Sequence, residues 1–328
     1  MTQRGAGWMT AVGLVLFLVW SNSFVAASFL LGGERGEARF DGIGLTVARF
    51  APIVPLCLAW SFVVRRRTSV ALLRRFPWRA PLAGLLSAPA YNLALFSGQQ
   101  LGVPAPVASL TTALMPLMMM LLAALFLGER IDARKGIAFS IALVGLMLIA
   151  ASRAGGEAAA GGPASALRYA ALIGLVALAP FSWSVYSILS KPVAAIAAPM
   201  DWTFLTIGLG GLPLLLLLPW RGGPEMARLD LSGWSALLYL SLLCTVIGYA
   251  VWSWLLGRLP ASTAGFLTFL NPPLTLLSKL LLSLLLPAVF VWSMQPLELL
   301  GAALALVGLG LVLAPGWVAT RRRGRPSA

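Results

Sequence analysis

The chain is built from long apolar runs that are separated by short polar stretches. Ten of these runs approach or exceed the length of roughly 20 residues that an α-helix needs to cross the hydrocarbon core of a bilayer. They cover residues 8–31, 42–64, 78–97, 104–127, 135–152, 169–189, 202–219, 232–256, 261–286 and 297–318. The pattern therefore predicts an all-α membrane protein with ten transmembrane helices and no separate soluble domain.

The composition indicates that lipid surrounds most of the chain. The mean hydropathy is +0.90, hydrophobic residues make up 59% and charged residues only 10%. A soluble domain carries about a quarter charged residues, so this chain has too little polar surface to cover a globule in water. We expect the run at 8–31 to be a membrane span and not a cleaved signal peptide, because it is long and lacks an A-x-A-like site before the next polar stretch.

Most of the basic residues fall on one side of the predicted membrane. The formal net charge is +14. With the loops assigned alternately to two sides, the N-terminal side holds the arginine-rich stretch at 65–79 and the basic tail at 321–328. An excess of lysine and arginine marks the cytoplasmic side, so both termini are predicted to be cytoplasmic in a multi-pass protein of the cell inner (plasma) membrane. The positive charge is expected to meet anionic lipid headgroups and not nucleic acid.

Two stretches of the sequence are alike. One is "PAPVASLTTALMP" at 104–116, and the other is "PASTAGFLTFLNP" at 260–272. They share proline, alanine, alanine, threonine, leucine and proline at matching places. Another similar pair, "VGLVLFLVWSNS" at 12–23 and "IGLVALAPFSWS" at 173–184, keeps the same order along the chain. The sequence therefore contains an internal duplication.

The duplication divides the chain into two halves of five spans each. The first repeat is predicted at 1–152, an inter-repeat loop at 153–168, and the second repeat at 169–320, before the basic cytoplasmic tail at 321–328. Because five is odd, the second half must enter the membrane from the opposite face. The result is a pair of inverted five-helix repeats related by a pseudo-two-fold axis in the membrane plane. Such halves can exchange conformations and open a central site to either side, which favours a carrier.

With these features the chain resembles the drug/metabolite transporter superfamily, in its EamA branch. The resemblance lies in "VWSNSF" in the first span, "ARF" at 48–50, "LGERID" after the fourth span, and "GYAVWSWLLGRLPASTAGFLTFLNPPLTLL" across the eighth and ninth spans. It implies a carrier that moves small organic metabolites, often outward, through a cavity lined by spans 1 to 4 and 6 to 9. One departure is that Gly128 and Glu129 follow the fourth span, whereas the second half has Leu284 and Leu285 at the matching place. The second acidic turn is either missing or has moved to Glu298.

Polar and aromatic side chains at membrane depth are the candidates for contact with a substrate, because each of them must be satisfied there. An asparagine offers two donors and an acceptor, although hydrogen bonding between helices is an equal alternative for the one in the first span. Tyrosine and tryptophan combine an apolar body with one polar group. The predicted substrate-binding residues are Asn22, Tyr91, Asn92, Trp183, Tyr186, Tyr249, Trp252 and Asn271.

The repeated stretch places a proline four residues after a threonine in each half. The pairs are Thr112 with Pro116 and Thr268 with Pro272. Because proline has no N–H, the carbonyl of each threonine is expected to lack its helical partner. The pattern predicts a helix kink that forms a gate in each half, with a fixed kink that only shapes packing as the alternative.

Two basic residues fall inside predicted spans. Arg49 could pair with Asp41, reach the outer interface, or hold a substrate anion, and a structural role is favoured. Lys279 is expected to reach the outer surface.

The sequence contains no histidine, and no aspartate or glutamate falls near the middle of a predicted span. We therefore predict no metal, no cofactor and weak or no obligatory proton coupling through a buried carboxylate. This favours a facilitator or an exchanger, with sodium coupling through carbonyls and hydroxyls as an alternative. No obligatory protein partner is predicted beyond the bilayer and a small-molecule substrate.

The resulting prediction is a carrier of amino acids or similar amphiphiles, which exports them by alternating access. A lipid or lipid-precursor flippase of the same fold is one alternative, and a channel is another. An intramembrane enzyme is the least favoured, because the sequence shows no nucleophile with a base and no paired aspartates.

Overall fold

The computed structural model describes residues 3–32, 37–157, 162–287, 290 and 295–313, and within these the regular structure is entirely helical. The α-helices are α1 Gln3–Leu30, α2 Gly42–Phe50, α3 Ile53–Ala59, α4 Arg66–Arg75, α5 Arg79–Leu85, α6 Tyr91–Gln100, α7 Ala105–Thr111, α8 Met115–Leu127, α9 Ala133–Glu157, α10 Gly162–Ala194, α11 Pro199–Leu217, α12 Gly223–Met226, α13 Leu231–Leu238, α14 Gly248–Arg258, α15 Ala261–Phe266, α16 Asn271–Leu285 and α17 Pro296–Leu313. Some consecutive α-helices are connected by π-helical turns, at Trp60–Val64, Leu86–Ala90 and Tyr239–Ile247. Others are connected by 3₁₀ turns, at Thr112–Leu114 and Leu267–Leu270.

Seven helical segments within the described residues are long and apolar enough to cross a membrane, judged by length and composition. They are Ala11–Leu30, Gly42–Val64, Val107–Leu127, Ala170–Ala194, Pro199–Leu217, Leu231–Arg258 and Ala261–Leu285. The chain is therefore an all-α, multi-pass membrane protein.

The helix ends follow from local side-chain chemistry. Asp230 precedes α13, and its Oδ1 accepts a hydrogen bond from the Gly233 amide at 2.8 Å. Asp41 caps α2 in the same way through the Gly44 amide. Short carboxylates of this kind satisfy amides that have no partner inside the helix. At its other end α8 stops at Gly128, whose φ of 65° is a left-handed conformation that glycine adopts without steric cost.

Each threonine–proline pair lies at a 3₁₀ turn between two α-helices. The amide of Met115 donates to the carbonyl of Thr112, and the amide of Asn271 donates to the carbonyl of Thr268. The expectation that these carbonyls lack a partner is therefore wrong. Proline removes the donor four residues on, and the residue three positions on takes its place, which tightens the helix locally.

The inter-repeat segment is more helical than predicted. Helix α9 extends to Glu157 and α10 begins at Gly162, so helix covers much of the stretch expected to be a loop at 153–168. Residues 158–161 and the basic tail at 321–328 lie outside the described part of the chain. Helices α9 and α17, from predicted spans 5 and 10, pack mainly against each other.

The two halves approach closely where glycines meet. A Cβ on Gly210 of α11 would collide with the backbone of Gly84 in α5. Two glycines let the backbones touch, which is a common way to pack membrane helices that gain little from burying apolar surface in lipid.

Candidate functional site

A small cavity lies between the two halves of the chain. Small-molecule sites are often lined mainly by apolar and aromatic side chains with a few polar groups among them. The first half contributes Trp20, Ser23, Phe24, Arg49, Tyr91, Leu95 and Met115 to its lining, and the second half contributes Trp183, Tyr249, Thr268 and Asn271. The lining is therefore mainly aromatic and apolar, with a few polar groups and one cation.

Trp183 is the centre of an aromatic cluster that forms one wall of the cavity. Its ring centroid lies 4.7 Å from that of Tyr249, 5.3 Å from Trp20 and 5.4 Å from Tyr91. The contacts with Tyr249 and Trp20 are edge-to-face, the arrangement that the ring quadrupoles favour. Trp20 and Tyr91 come from the first half, so the cluster joins the two halves.

The π-helical turns position these rings. Trp20 donates from Nε1 to the carbonyl of Cys244 at 2.9 Å, and Tyr249 donates its hydroxyl to the carbonyl of Ser87 at 2.9 Å. Cys244 and Ser87 belong to the π-helical turns of the second and the first half, respectively. Each half thus holds a cavity ring of the other through a backbone carbonyl, and π-helical turns of this kind are frequent at functional sites.

Arg49 is a buried cation at the edge of the cavity, with only 4% of its surface exposed. Its Nε donates to Thr245 Oγ1 at 2.9 Å, and its Nη1 donates to Asn92 Oδ1 at 2.9 Å. Asp41 pairs with Arg221, so neither pairing with Asp41 nor reach to the outer interface, two of the alternatives considered for Arg49, is observed. The prediction that Lys279 reaches the outer surface is wrong, because Lys279 is buried, with only 6% of its surface exposed.

Asn271 presents an unsatisfied acceptor at the cavity. Its Nδ2 donates to Thr112 Oγ1 at 3.3 Å. Thr112 Oγ1 has already given its own proton to the Ser109 carbonyl at 2.6 Å, so it can only accept, and this fixes the orientation of the amide. Asn271 Oδ1 and Trp183 Nε1 are both buried and have no hydrogen-bond partner among the described residues.

Six of the predicted residues line the cavity: Arg49, Tyr91, Trp183, Tyr249, Thr268 and Asn271. The others lie elsewhere in the described structure. The amide of Asn22 bonds the Leu18 carbonyl of its own helix at 2.8 Å. Asn92 holds Arg49 and bonds the carbonyl of Ala88 with its Nδ2 at 2.7 Å.

Tyr186 and Trp252 form a second layer behind the lining. Both are fully buried. The ring of Tyr186 lies 4.9 Å from that of Trp183, and Trp252 donates from Nε1 to Ser187 Oγ at 3.0 Å. Thr112, Pro116 and Pro272 shape the helices around the cavity without lining it.

Five lining residues were not predicted: Trp20, Ser23, Phe24, Leu95 and Met115. Trp20, Ser23 and Phe24 are spaced three and four apart, which places them on one face of α1. Asn22 lies on another face of that helix. The spacing of Trp20, Ser23 and Phe24 is therefore a sequence signal that could have identified these three residues.

One end of the cavity, on the predicted cytoplasmic side, is closed by contacts between α8 and α15. A Cβ on Gly265 would lie 2.9 Å from Met119 Cβ. Beyond this contact, Glu129 Oε1 accepts from the Ala261 amide at 2.6 Å, and Glu129 Oε2 accepts from the Ser262 amide at 3.2 Å and from the Ser262 hydroxyl at 2.5 Å. Lys135 Nζ also donates to Ser262 Oγ, at 2.7 Å. A carboxylate from the first half thus caps a helix of the second half, where the helix dipole favours negative charge.

Comparison with known proteins identifies the family. The model of the EamA-like transporter family matches the chain twice, over residues 8–151 and 171–314. The chain belongs to the EamA-like transporter family.

Some of the relatives of this EamA-like transporter have names that concern amino acids. It is 31% identical over 303 residues to a probable terminal-alkyne amino-acid exporter of Streptantibioticus cattleyicolor, covering 91% of each chain. It is 25% identical over 308 residues to a probable amino-acid metabolite efflux pump of Escherichia coli, covering 91% of this chain and 92% of the relative. A crystal structure of another protein matches with a TM-score of 0.66 at 21% identity over 93% of this chain and 96% of the other, which supports the fold.

Proposed function

We propose that this EamA-like transporter is an inner-membrane carrier that exports amino acids or similar small amphiphilic metabolites. The observation that carries the proposal is a cavity lined by both halves, with an aromatic wall, one buried cation and hydrogen-bonding groups without partners. Export and the amino-acid class are supported by the names of the relatives, each of which matches over most of the chain.

The proposed architecture is ten transmembrane helices arranged as two inverted five-helix repeats, 1–152 and 169–320, with both termini in the cytoplasm. The two family matches support the repeats. So do the paired 3₁₀ turns at Thr112–Leu114 and Leu267–Leu270, and the paired π-helical turns at Leu86–Ala90 and Tyr239–Ile247. Paired backbone irregularities at matching places in both halves are typical of carriers whose site lies where the halves meet.

The proposed mechanism is alternating access to the central cavity. In the conformation described above, α8 and α15 are in contact at the end that carries Glu129 and Ser262. Opening that end requires these contacts to break, and it would be accompanied by closure at the other end. The 3₁₀ turns beside Pro116 and Pro272 provide the points at which the helices can bend.

Proton coupling through a carboxylate in the site is not part of the proposal. None of the described residues that line the cavity is an aspartate or a glutamate. The buried Asp201 forms a two-point ion pair with Arg65, at 3.0 and 2.8 Å, away from the cavity. We therefore propose a facilitator or an exchanger.

The test is transport by the purified protein in liposomes that contain an amino-acid mixture. Uptake of labelled amino acids is followed with and without an imposed proton gradient. The proposal predicts saturable uptake that internal substrate accelerates and the gradient does not change. Uptake that neither saturates nor responds to internal substrate would indicate a channel. No amino-acid transport together with movement of labelled lipid between leaflets would indicate a flippase.

A further inference from the structure

We infer that the cavity reads an α-amino acid as a zwitterion, with Arg49 holding the carboxylate and Asn271 Oδ1 accepting from the ammonium group. The inference rests on the proposed function and names the substrate class of the same site. Its ligand is an α-amino acid with a neutral, apolar or aromatic side chain.

The first step is the missing counter-ion of Arg49. Its hydrogen-bond partners, Thr245 and Asn92, are neutral, and Nη2 makes no hydrogen bond to the described residues. A charge that is 96% buried is costly unless an opposite charge compensates it. A guanidinium also presents a planar pair of donors that matches a carboxylate. A substrate carboxylate in the cavity would supply the missing charge.

The second step is the pair of unsatisfied groups contributed by the second half. Trp183 Nε1 is a donor and Asn271 Oδ1 is an acceptor, and both belong to residues that line the same cavity as Arg49. A buried polar atom without a partner is a penalty in the empty site and a gain when a ligand satisfies it. The donor suits a carboxylate oxygen, and the acceptor suits an ammonium hydrogen.

The third step concerns what surrounds the ammonium group. Trp20, Tyr91 and Tyr249 are among the residues that line the cavity, and no carboxylate is among the described lining residues. An aromatic ring can attract a cation through its quadrupole. A ligand with a net positive charge meets Arg49 without neutralising it, so it is repelled. The carboxylate of a zwitterion neutralises Arg49, and its ammonium group can then contact the aromatic rings and Asn271 Oδ1. The same aromatic wall accommodates an apolar side chain.

The experiment compares three ligands that differ by one group. They are L-phenylalanine, L-phenylalaninamide, which lacks the carboxylate, and 3-phenylpropionate, which lacks the ammonium group. Binding to the purified full chain in detergent is measured by titration calorimetry. We expect phenylalanine to bind about 10-fold or more tightly than either analogue, because each analogue loses one charged hydrogen bond.

Two variants separate the two recognition elements. Arg49→Met should reduce the preference for phenylalanine over phenylalaninamide to about 1, while the preference over 3-phenylpropionate persists, since only the carboxylate contact is lost. Asn271→Leu should do the reverse. Arg49→Lys keeps the charge and should retain most of the preference over phenylalaninamide. Arg39→Met, which removes an arginine paired with Asp230 outside the cavity, is the control and should change neither ratio.

If Arg49 had only a structural role, Arg49→Met would weaken the binding of all three ligands alike. A ligand-specific change in affinity therefore distinguishes recognition of the carboxylate from a structural role. The inference is overturned if wild-type protein binds phenylalaninamide as tightly as phenylalanine. It is also overturned if Arg49→Met, shown to be folded by thermal unfolding, keeps the wild-type ratios. Binding with the expected pattern but without transport in liposomes would contradict the proposed function and leave the recognition scheme standing.

Discussion

The two copies of the repeated stretch, 104–116 and 260–272, share a backbone and differ in their side chains. In both, a short helix passes through a 3₁₀ turn into a longer helix whose second residue is proline. The hydroxyl of Thr112 donates to the Ser109 carbonyl at 2.6 Å, and that of Thr268 donates to the Gly265 carbonyl at 2.8 Å. Both copies therefore have the same 3₁₀ turn beside a proline.

The first difference between the copies is at their helix N-termini. Glu129 caps α15 through the amides of Ala261 and Ser262. Helix α7, in the first half, would take its matching cap from the chain that follows α16. There the second half has Leu284 and Leu285, and its next acidic residue is Glu298 in the first turn of α17. The hydrogen bonds of Glu129 therefore join the end of α8 to α15 through a charged group, and they would favour closure at that end.

The second difference is the residue before the last proline of each copy. Met115 in the first copy and Asn271 in the second line the same cavity. A pseudo-symmetric backbone thereby delivers one apolar and one polar side chain to one site. The lesson is that inverted repeats can supply a symmetric mechanism while the site itself remains asymmetric and can orient a substrate.

Removing the cap should have the largest effect. Glu129→Ala deletes a carboxylate that accepts three hydrogen bonds from α15, which should shift the conformational equilibrium by about 2–4 kcal/mol toward opening at that end. The measurement is the rate at which a polar thiol reagent modifies Thr268→Cys, with Cys57 and Cys244 replaced by alanine. Glu37→Ala, at an exposed position, is the control. A rate equal to that of the control would show that the cap does not hold the end closed.

Exchanging the two cavity residues should have an intermediate effect. Asn271→Met should weaken phenylalanine binding about 10-fold, because the acceptor for the ammonium is lost. Adding Met115→Asn should place an amide beside Thr268. The Thr268 hydroxyl donates to the Gly265 carbonyl, just as the Thr112 hydroxyl donates to the Ser109 carbonyl, so Thr268 can accept a hydrogen bond from the new amide. The double exchange should fold normally in a thermal unfolding assay and yet not regain affinity in calorimetry. Recovery of affinity would mean that the position of the acceptor relative to Arg49 is unimportant.

The two tryptophans of the cluster should behave differently. Trp183→Phe removes a cavity donor and part of the wall, so phenylalanine binding should weaken about 3- to 10-fold. Trp252 lies behind the lining, and Trp252→Phe removes its hydrogen bond to Ser187 Oγ. This variant should therefore lower the unfolding temperature and have less effect on the affinity for phenylalanine. Calorimetry and thermal unfolding of both variants test this. Equal loss of affinity in the two variants would contradict the layered arrangement.

The smallest effect concerns Asp230, which caps α13 at the opposite face from Glu129 in the predicted topology. Hydrogen bonds from the Ser232 hydroxyl and the Gly233 amide lower its pKa below the ordinary value. A lowered pKa in the folded state gives stability that is present above the unfolded pKa of about 4 and is lost as the pH falls through the folded pKa. Asp230→Asn should remove a small part of the acid dependence of thermal unfolding. An unchanged pH profile would contradict this.

Much of the helical organisation could be predicted from sequence, because length and hydropathy mark helices that lie in lipid. The shared prolines also located both 3₁₀ turns, and aromatic and polar residues at membrane depth identified Tyr91, Trp183, Tyr249 and Asn271 as residues that prove to line the cavity. The ten crossings and their orientation stay predictions.

The rotation of each helix was harder to predict. A helix in lipid is apolar on all sides, so hydropathy does not show which face of α1 turns inward. For this reason the sequence predicts Asn22 as a cavity residue, whereas the structure has Trp20 in the lining. The π-helical turns at Leu86–Ala90 and Tyr239–Ile247 also left no clear signal, since tertiary packing selects them.

The most direct test of the central claim, that the end near Glu129 must open for transport, is a reversible cross-link across that end. Glu129→Cys and Ser262→Cys, in a protein whose Cys57 and Cys244 are alanine, would be joined by a short reducible reagent that bridges two thiols. The predicted result is that the cross-linked protein still binds phenylalanine, transports none into liposomes, and regains transport when the link is reduced. Undiminished transport by fully cross-linked protein would contradict alternating access at this end.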